Sequence, residues 1–463
     1  MKSSRKRVSI SHVITIFVIL LVCLHAYLVS IVAKHVTKES GTVVHKDHLN
    51  NYQNGKHRGS ALEGEKYLSN TAFPIDAIDK DRIEKESLPI DDTSFPKATI
   101  AYAISLTGCG SNYLVDGAAV LKHSIELSSY PLNKESKYAS KMFAFVHPEA
   151  EKCSAPLKTL GYEILIKETP IDASKIRGDF LREKVVQSGC CQEKEFLKLY
   201  TYTLTEYPVA VHLDIDVLIL QPFDDLYDAM IEGTRGKIPI MHNQTAPDDI
   251  QAFYTKDYNM ATPMHKHPGV QGGMLIVKPN LSYFEEYREI ILEGDFRKGQ
   301  GWKGAYGGYF GAQQIQGLCS YFFEGVHPGT AVELNRCIYN NMNDNPKTVK
   351  KSFGKNKNET MVCRDTLKRD GEGPCEDCRD YDFSRVKSAH FTLCQKPWVC
   401  PLFVLSRKGL CSEFQRRWFE VRKDWESKNG LETSTVGVDF HNDVFQGMCK
   451  SGGEAGYVNI KIS

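Results

Sequence analysis

From residue 97 onward the apolar residues alternate between two spacings. Short runs in Lys97–Leu106 (KATIAYAISL), Lys141–Val146 (KMFAFV), Tyr162–Ile166 and Val209–Leu213 read as buried strands, as does the end of Gly269–Pro279 (GVQGGMLIVKP). Between them the spacing lengthens. In Tyr113–Leu127, Leu114, Ala118, Leu121 and Ile125 recur on one helical face. Ala155–Leu160, Asn280–Glu293, Ala312–Phe323 and Phe414–Trp425 also read as helices, as does Phe196–Tyr207 with Phe196, Leu199, Tyr200 and Thr203 inward. Asp224 is placed to cap a further helix through Glu232, stopped at Gly233. This alternation predicts an α/β fold, a mostly parallel sheet flanked by helices. Ligands of such sheets bind beyond the carboxyl ends of the strands, where Thr107 and Asp214 both fall.

The other segments lack either spacing. Gly299–Gly311 (GQGWKGAYGGYFG) is rich in glycine and aromatics and fits either a surface loop or the wall of a ligand pocket. Asn340–Asp370 is polar and reads as a loop, and the tail from 429 to 463 is uninformative. Residues 34–96 are poor in large apolar side chains and read as a largely disordered stem before a folded domain spanning 97–428. Ahead of the stem, Val13–Ala33 holds no acidic or strongly basic residue, has only His25 as an awkward one, and is long enough to span a bilayer. The basic tail 1–12, with Lys2, Arg5, Lys6 and Arg7, precedes it, which favours a cytosolic N-terminus and a signal anchor in a type II membrane protein. The folded domain then lies in the lumen of the endoplasmic reticulum or Golgi.

Composition agrees with that picture. Of the 463 residues 41% are hydrophobic and 25% charged, as in a globular protein with a core, and a net charge of +1 gives no general case for nucleic acid. Of fourteen cysteines only Cys23 lies in the apolar span, and an oxidising lumen would pair many of the rest. Sequons at Asn243, Asn280 and Asn358 would be open to glycosylation there. Cys375 and Cys378 form a C-x-x-C that could begin a zinc site, but the second half of a regular zinc spacing is missing.

The pointed chemistry lies in Val209–Asp228 (VAVHLDIDVLILQPFDDLYD). Asp214 and Asp216 follow an apolar strand, and an extended backbone would turn both carboxylates to one face. Two ionised carboxylates about 5 Å apart repel by roughly 3 kcal/mol at an effective dielectric of about 20. A hard divalent cation relieves that repulsion.

Five stretches in order resemble glycosyltransferase family 8, the glycogenin-like group: AISLTGCGSNYLVDGAAVLKHSI, FLKLYTYTLTEYPVAVHLDIDVLILQPFDDLYD, VQGGMLIVKPN, IQGLCSYFF and HFTLCQKPW, covering about residues 98–400. The resemblance implies a GT-A fold and metal-dependent, retaining transfer of a hexose or pentose from a UDP-sugar to a hydroxyl of a glycan, glycoprotein or other acceptor. Asp214, Asp216 and His390 match the metal ligands, and an imidazole among carboxylates suits manganese better than magnesium. Lys198 and Lys396 match lysines that contact the donor and its diphosphate. Leu106, Thr107 and Tyr113 match positions that hold the uridine, and Ile215 lies between the two acids.

Two departures stand out. Gln271-Gly272-Gly273 replaces the family's N-S-G, and Ile315-Gln316-Gly317 replaces its D-Q-G. Gln271 and Gln316 keep amides toward the sugar, with Gln316 near the reacting carbon, while the acid that helps recognise sugar hydroxyls is lost. Two other readings fit parts of the pattern. One is a degenerate, non-catalytic nucleotide-sugar-binding protein. The other is a haloacid dehalogenase-type phosphatase, whose D-x-D normally sits on the first strand of its domain.

Overall fold

The structure is a computed structural model that describes residues 96–110, 113–233, 246–260, 267–345, 347–350, 360–363, 376–400, 409–431, 447–450 and 453–462. The apolar span Val13–Ala33, the stem up to residue 95, Asn243, Asn358 and Cys375 lie outside these residues. No helix of the described residues is long and apolar enough to cross a membrane.

Strands form at Ala98–Leu106 (β1), Tyr138–Val146 (β2), Glu163–Ile166 (β3), Ala210–Leu213 (β4), Val217–Ile219 (β5), Ala252–Tyr254 (β6), Met274–Val277 (β7), Ala331–Glu333 (β8), Tyr339–Asn341 (β9) and Ser388–His390 (β10). Helices form at Leu114–Leu127 (α1), Ala155–Thr159 (α2), Asp179–Val185 (α3), Asp224–Ile231 (α4), Leu281–Glu293 (α5), Ile315–Tyr321 (α6) and Leu410–Lys428 (α7). The main sheet has seven strands in the order β8-β6-β7-β4-β1-β2-β3. Only β7 runs antiparallel to its neighbours β4 and β6, so the sheet is mostly parallel as expected.

Alternation along β1 sorts the core. Ile100, Tyr102 and Ile104 pack with Ala118, Leu121 and Ile125 of α1 on one face. Ala101 and Ala103 face the other way, toward Phe196, Leu199, Tyr202 and Tyr287. A third cluster joins Trp398, Trp418 and Phe414 to Leu218 of β5.

Several expectations need correction. Phe196–Tyr207 does not form an α-helix: Gln192–Thr203 winds as a 3-10 helix. Residues three apart eclipse in that geometry, so the segment shows rows rather than a single stripe. Glu195, Lys198 and Thr201 form a polar row, and Phe196, Leu199 and Tyr202 form the apolar row that enters the core. Tyr200 and Thr203, expected inward, are only half-buried. Asp224 lies in the first turn of α4 and does not cap it; its carboxylate instead accepts from Lys137 N at 2.7 Å and Ser136 Oγ at 2.9 Å. The Asn340–Asp370 stretch is not a plain loop. It begins within β9, where buried Asn340 and Asn341 bond inward, and it includes an antiparallel ribbon of Lys347–Lys350 and Thr360–Cys363.

A zinc site at Cys378 is excluded, since Cys378 is bonded to Cys337. Further disulfides join Cys109 to Cys153, Cys394 to Cys411 and Cys400 to Cys449. Asn280, the one sequon within the described residues, caps α5, with its Oδ1 accepting from Ser282 N and Tyr283 N. The end of the chain returns to the domain. Asp116 on α1 accepts from Tyr457 Oη at 2.8 Å and Ile460 N at 3.0 Å and pairs with Arg422 of α7 at 3.2 Å, with both charged groups fully buried.

That junction generates a prediction. Asp116→Ala leaves the Arg422 guanidinium short of a buried partner and frees the Ile460 amide. It should lower unfolding free energy by roughly 3 kcal/mol, measured as a shift of the denaturant midpoint.

Candidate metal centre

The site is built where β4 leaves the main sheet. The backbone does not stay extended through the two acids. Residues 214–216 make a turn in which Val217 N donates to Asp214 O at 3.1 Å, and the chain then enters the small sheet β9-β10-β5. The turn, not strand alternation, brings the two carboxylates together.

The third member comes from far downstream. β10 pairs antiparallel with β5 in a register that sets His390 opposite Val217, and Phe391 N donates to Asp216 O at 2.9 Å. This places His390 Nε2 3.3 Å from Asp216 Oδ1. Thr392 Oγ1 lies 2.9 Å from the same nitrogen, while the buried Nδ1 has no hydrogen-bond partner. Ligand atoms of Asp214, Asp216 and His390 all fall within 4.8 Å of one another. Two carboxylates and an imidazole at that spacing fit a divalent cation. Gly273, just ahead of β7, keeps the space open: a Cβ there would lie 2.3 Å from His390 Cε1 and 3.0 Å from Asp214 Oδ2.

Two cations flank the acids. Lys198, buried in the 3-10 helix, reaches Asp214 Oδ1 at 2.9 Å and donates to Gly272 O at 2.9 Å. Lys396 contacts Asp216 directly. Burial would raise the Asp216 carboxyl, but Lys396 and His390 outweigh it and hold Asp216 well below the usual aspartate range. Burial would likewise lower Lys198, yet Asp214 and Glu195 outweigh it and raise the ammonium above its ordinary value. Asp216, Lys198 and Lys396 therefore stay charged at neutral pH.

The remaining sequence-predicted residues separate into two groups. Leu106 ends β1 and Thr107 follows it, in a loop tied down by Cys109–Cys153. Tyr113 stacks on Trp398 with ring centroids 5.0 Å apart, and the loop carrying Lys396 and Trp398 is tied to α7 by Cys394–Cys411. Ile215 packs its side chain against the core. Gln271 is turned inward, where its Oε1 accepts from Gly273 N at 2.7 Å and Asn340 Nδ2 at 3.3 Å, so it braces the turn before β7. Gln316 lies under the glycine-rich loop, with its buried Nε2 lacking a partner. That loop lines an open cleft of about 230 Å³ with Phe180, Gly189 and Gln314, apart from the metal group.

Sequence reasoning missed Thr392 and Glu195. Glu195 precedes Lys198 by three residues, and its carboxylate is buried 3.7 Å from the ammonium. A three-residue period in EFLKLYTYT would have revealed the pair.

No protein-family model and no curated protein sequence matches the chain. Among solved structures it is similar to an active-site mutant of LgtC, at 14% identity over 70% of this chain and 95% of that one, with a TM-score of 0.38. The galactosyltransferase LgtC in complex with donor and acceptor sugar analogs gives 14% identity over 70% and 95%, with a TM-score of 0.36. Mouse xyloside xylosyltransferase 1 in its apo form gives 12% identity over 65% and 99%, with a TM-score of 0.36.

Two predictions follow from the geometry. Gly273→Ala should push the His390 ring aside and weaken Mn²⁺ binding at least about tenfold, read by calorimetry. Asp216 has a folded pKa below its unfolded value of about 3.9, so its stabilising share is present above that value and fades as pH falls below it. The stability gap between the metal-free protein and its Asp216→Asn variant should therefore shrink as pH drops below about 4, measured by denaturant unfolding across pH.

Proposed function

We propose that the chain is a metal-dependent, retaining glycosyltransferase of the glycogenin-like family 8 with a GT-A fold. In this reading it moves a hexose or pentose from a UDP-sugar to an acceptor hydroxyl on a glycan, glycoprotein or other molecule. The observation that carries the reading is the convergence of Asp214, Asp216 and His390 between two lysines, at the carboxyl edge of a mostly parallel sheet. A diphosphate ester is a ligand whose charge calls for both an ion and flanking ammonium groups.

A bound divalent cation, manganese in this reading, would neutralise charge growing on the diphosphate as the glycosidic bond breaks. The chain's own residues supply the rest. Lys198 and Lys396 keep full positive charge beside the acids and offset the same developing charge. Asp216 stays ionised and holds the Lys396 ammonium, so neither requires a proton shift when the donor arrives. In this reading Leu106, Thr107 and Tyr113 hold the uridine. Gln316 positions the sugar through an amide; being neutral, it does not act as a strong base, and the leaving phosphate takes the acceptor proton.

The second reading is a non-catalytic nucleotide-sugar binder. Ile315 favours it, because the position that carries the family's acid is fully buried and apolar here. For placement, we propose a single-pass type II protein anchored by Val13–Ala33, with residues 97–428 lumenal in the endoplasmic reticulum or Golgi. The four disulfides among the described residues support an oxidising compartment.

The test uses the purified full chain with Mn²⁺ and a panel of UDP-sugars, following release of UDP. At least one donor should be hydrolysed, and Asp216→Asn should lower the rate at least about a hundredfold. A rate indifferent to that substitution refutes the metal role, and UDP binding without turnover of any donor selects the second reading.

A further inference from the structure

The spot beside Gly272 collects three side chains from two elements, the 3-10 helix and α6. A Cβ built on Gly272 would lie 3.4 Å from Gln316 Cγ, 3.5 Å from Glu195 Oε1 and 3.6 Å from Ile315 Cγ2. Ile315 brings only methyl groups and belongs to the core with Leu318 and Phe322. Gln316 brings an amide whose Nε2 has no partner. Glu195 brings a carboxylate from the polar row of the 3-10 helix.

That carboxylate is under-used. It is 7% exposed, and its nearest cation among the described residues is Lys198 at 3.7 Å, beyond hydrogen-bond distance. Lys198 is already committed to Asp214 Oδ1 and Gly272 O, both at 2.9 Å. Burial pushes the Glu195 carboxyl up, with Lys198 opposing. A buried carboxylate short of donors is costly unless a ligand supplies them.

Resting on the donor reading above, we propose that Glu195 recognises a hydroxyl of the transferred sugar, supplying from the 3-10 helix the acid that position 315 lacks. The placement follows from the order of groups. Lys198 Nζ reaches Asp214, Gly272 O and Glu195, and along the chain the Gly273 Cβ position faces Asp214 Oδ2 while the Gly272 position faces Glu195 Oε1. A diphosphate held at the metal group and Lys198 directs its sugar toward Gly272 and Gln316. There a hydroxyl donates to the Glu195 carboxylate and can accept from Gln316 Nε2. Glu195 thus sets which sugar is held, without taking part in bond making.

The experiment measures dissociation constants of the full chain with Mn²⁺ for UDP and for UDP-glucose, UDP-galactose and UDP-xylose, in wild type, Glu195→Gln and Glu195→Ala. Thermal melting checks that each variant is folded, and Glu195→Gln keeps the shape of the side chain. For the sugar nucleotide that wild type holds best, Glu195→Ala should weaken binding relative to UDP at least about tenfold, and Glu195→Gln should do so by less. UDP binding itself should stay near wild type. The proposal is overturned if both variants keep the wild-type ratio of sugar nucleotide to UDP. It is also overturned if they weaken UDP and its sugars equally, because Glu195 then only balances the Lys198 charge. A wild type that binds neither UDP nor any of the three donors sinks the donor reading itself, an outcome distinct from both.

Discussion

The pairing of two three-residue strands governs the site. β5 follows directly from the Asp214–Asp216 turn, and β10 lies against it in a register that sets His390 opposite Val217. A slip of one residue would turn the imidazole to the other face of the strand. Three residues of strand cannot hold such a register alone. It is held from outside by β9 on the far side of β10, by Trp398 packed into the third core cluster, and by the Cys394–Cys411 disulfide. Lys387 Nζ pairs with Asp225 Oδ1 at 2.7 Å and ties the start of this segment to α4.

Charge compensation follows from that geometry. Three buried or half-buried acids, Asp214, Asp216 and Glu195, stand beside two lysines. Each lysine pairs closely with one aspartate, and Glu195 is left with the long contact. The neighbouring aspartates keep Lys198 protonated despite its burial and raise the more exposed Lys396 as well. The centre therefore has its charges in place before any ligand arrives, as preorganised stabilisation of a developing anion requires. Buried charge of this kind costs stability, and the large apolar clusters on both faces of the sheet offset it.

Most of the scaffold was legible because its segments obey one period each. The runs that became β1, β4 and β7 are mostly apolar, and α1 and α5 show regular helical spacing. Legibility failed where period or partner was unusual. The Gln192–Thr203 segment repeats every three residues, so a search at 3.6 residues per turn merged its polar and apolar rows and hid Glu195. The turn at Asp214–Asp216 was hidden because an apolar run on both sides reads as one continuous strand. The end of the chain has no spacing to read, yet Ile460 is buried and bonded to Asp116.

The amino-acid sequence by itself determined the α/β alternation and the types of residue available for chemistry: two acids, a distant histidine and two lysines. These follow from local periodicity and from residue identity, which need no partner. Only the tertiary structure decided that the acids meet through a turn, that Gln271 bonds inward, and that a carboxylate from the 3-10 helix faces the spot beside Ile315 and Gln316. Those outcomes depend on contacts between segments separated by tens to hundreds of residues. Shape and burial of the whole domain select them, and no local pattern encodes that choice.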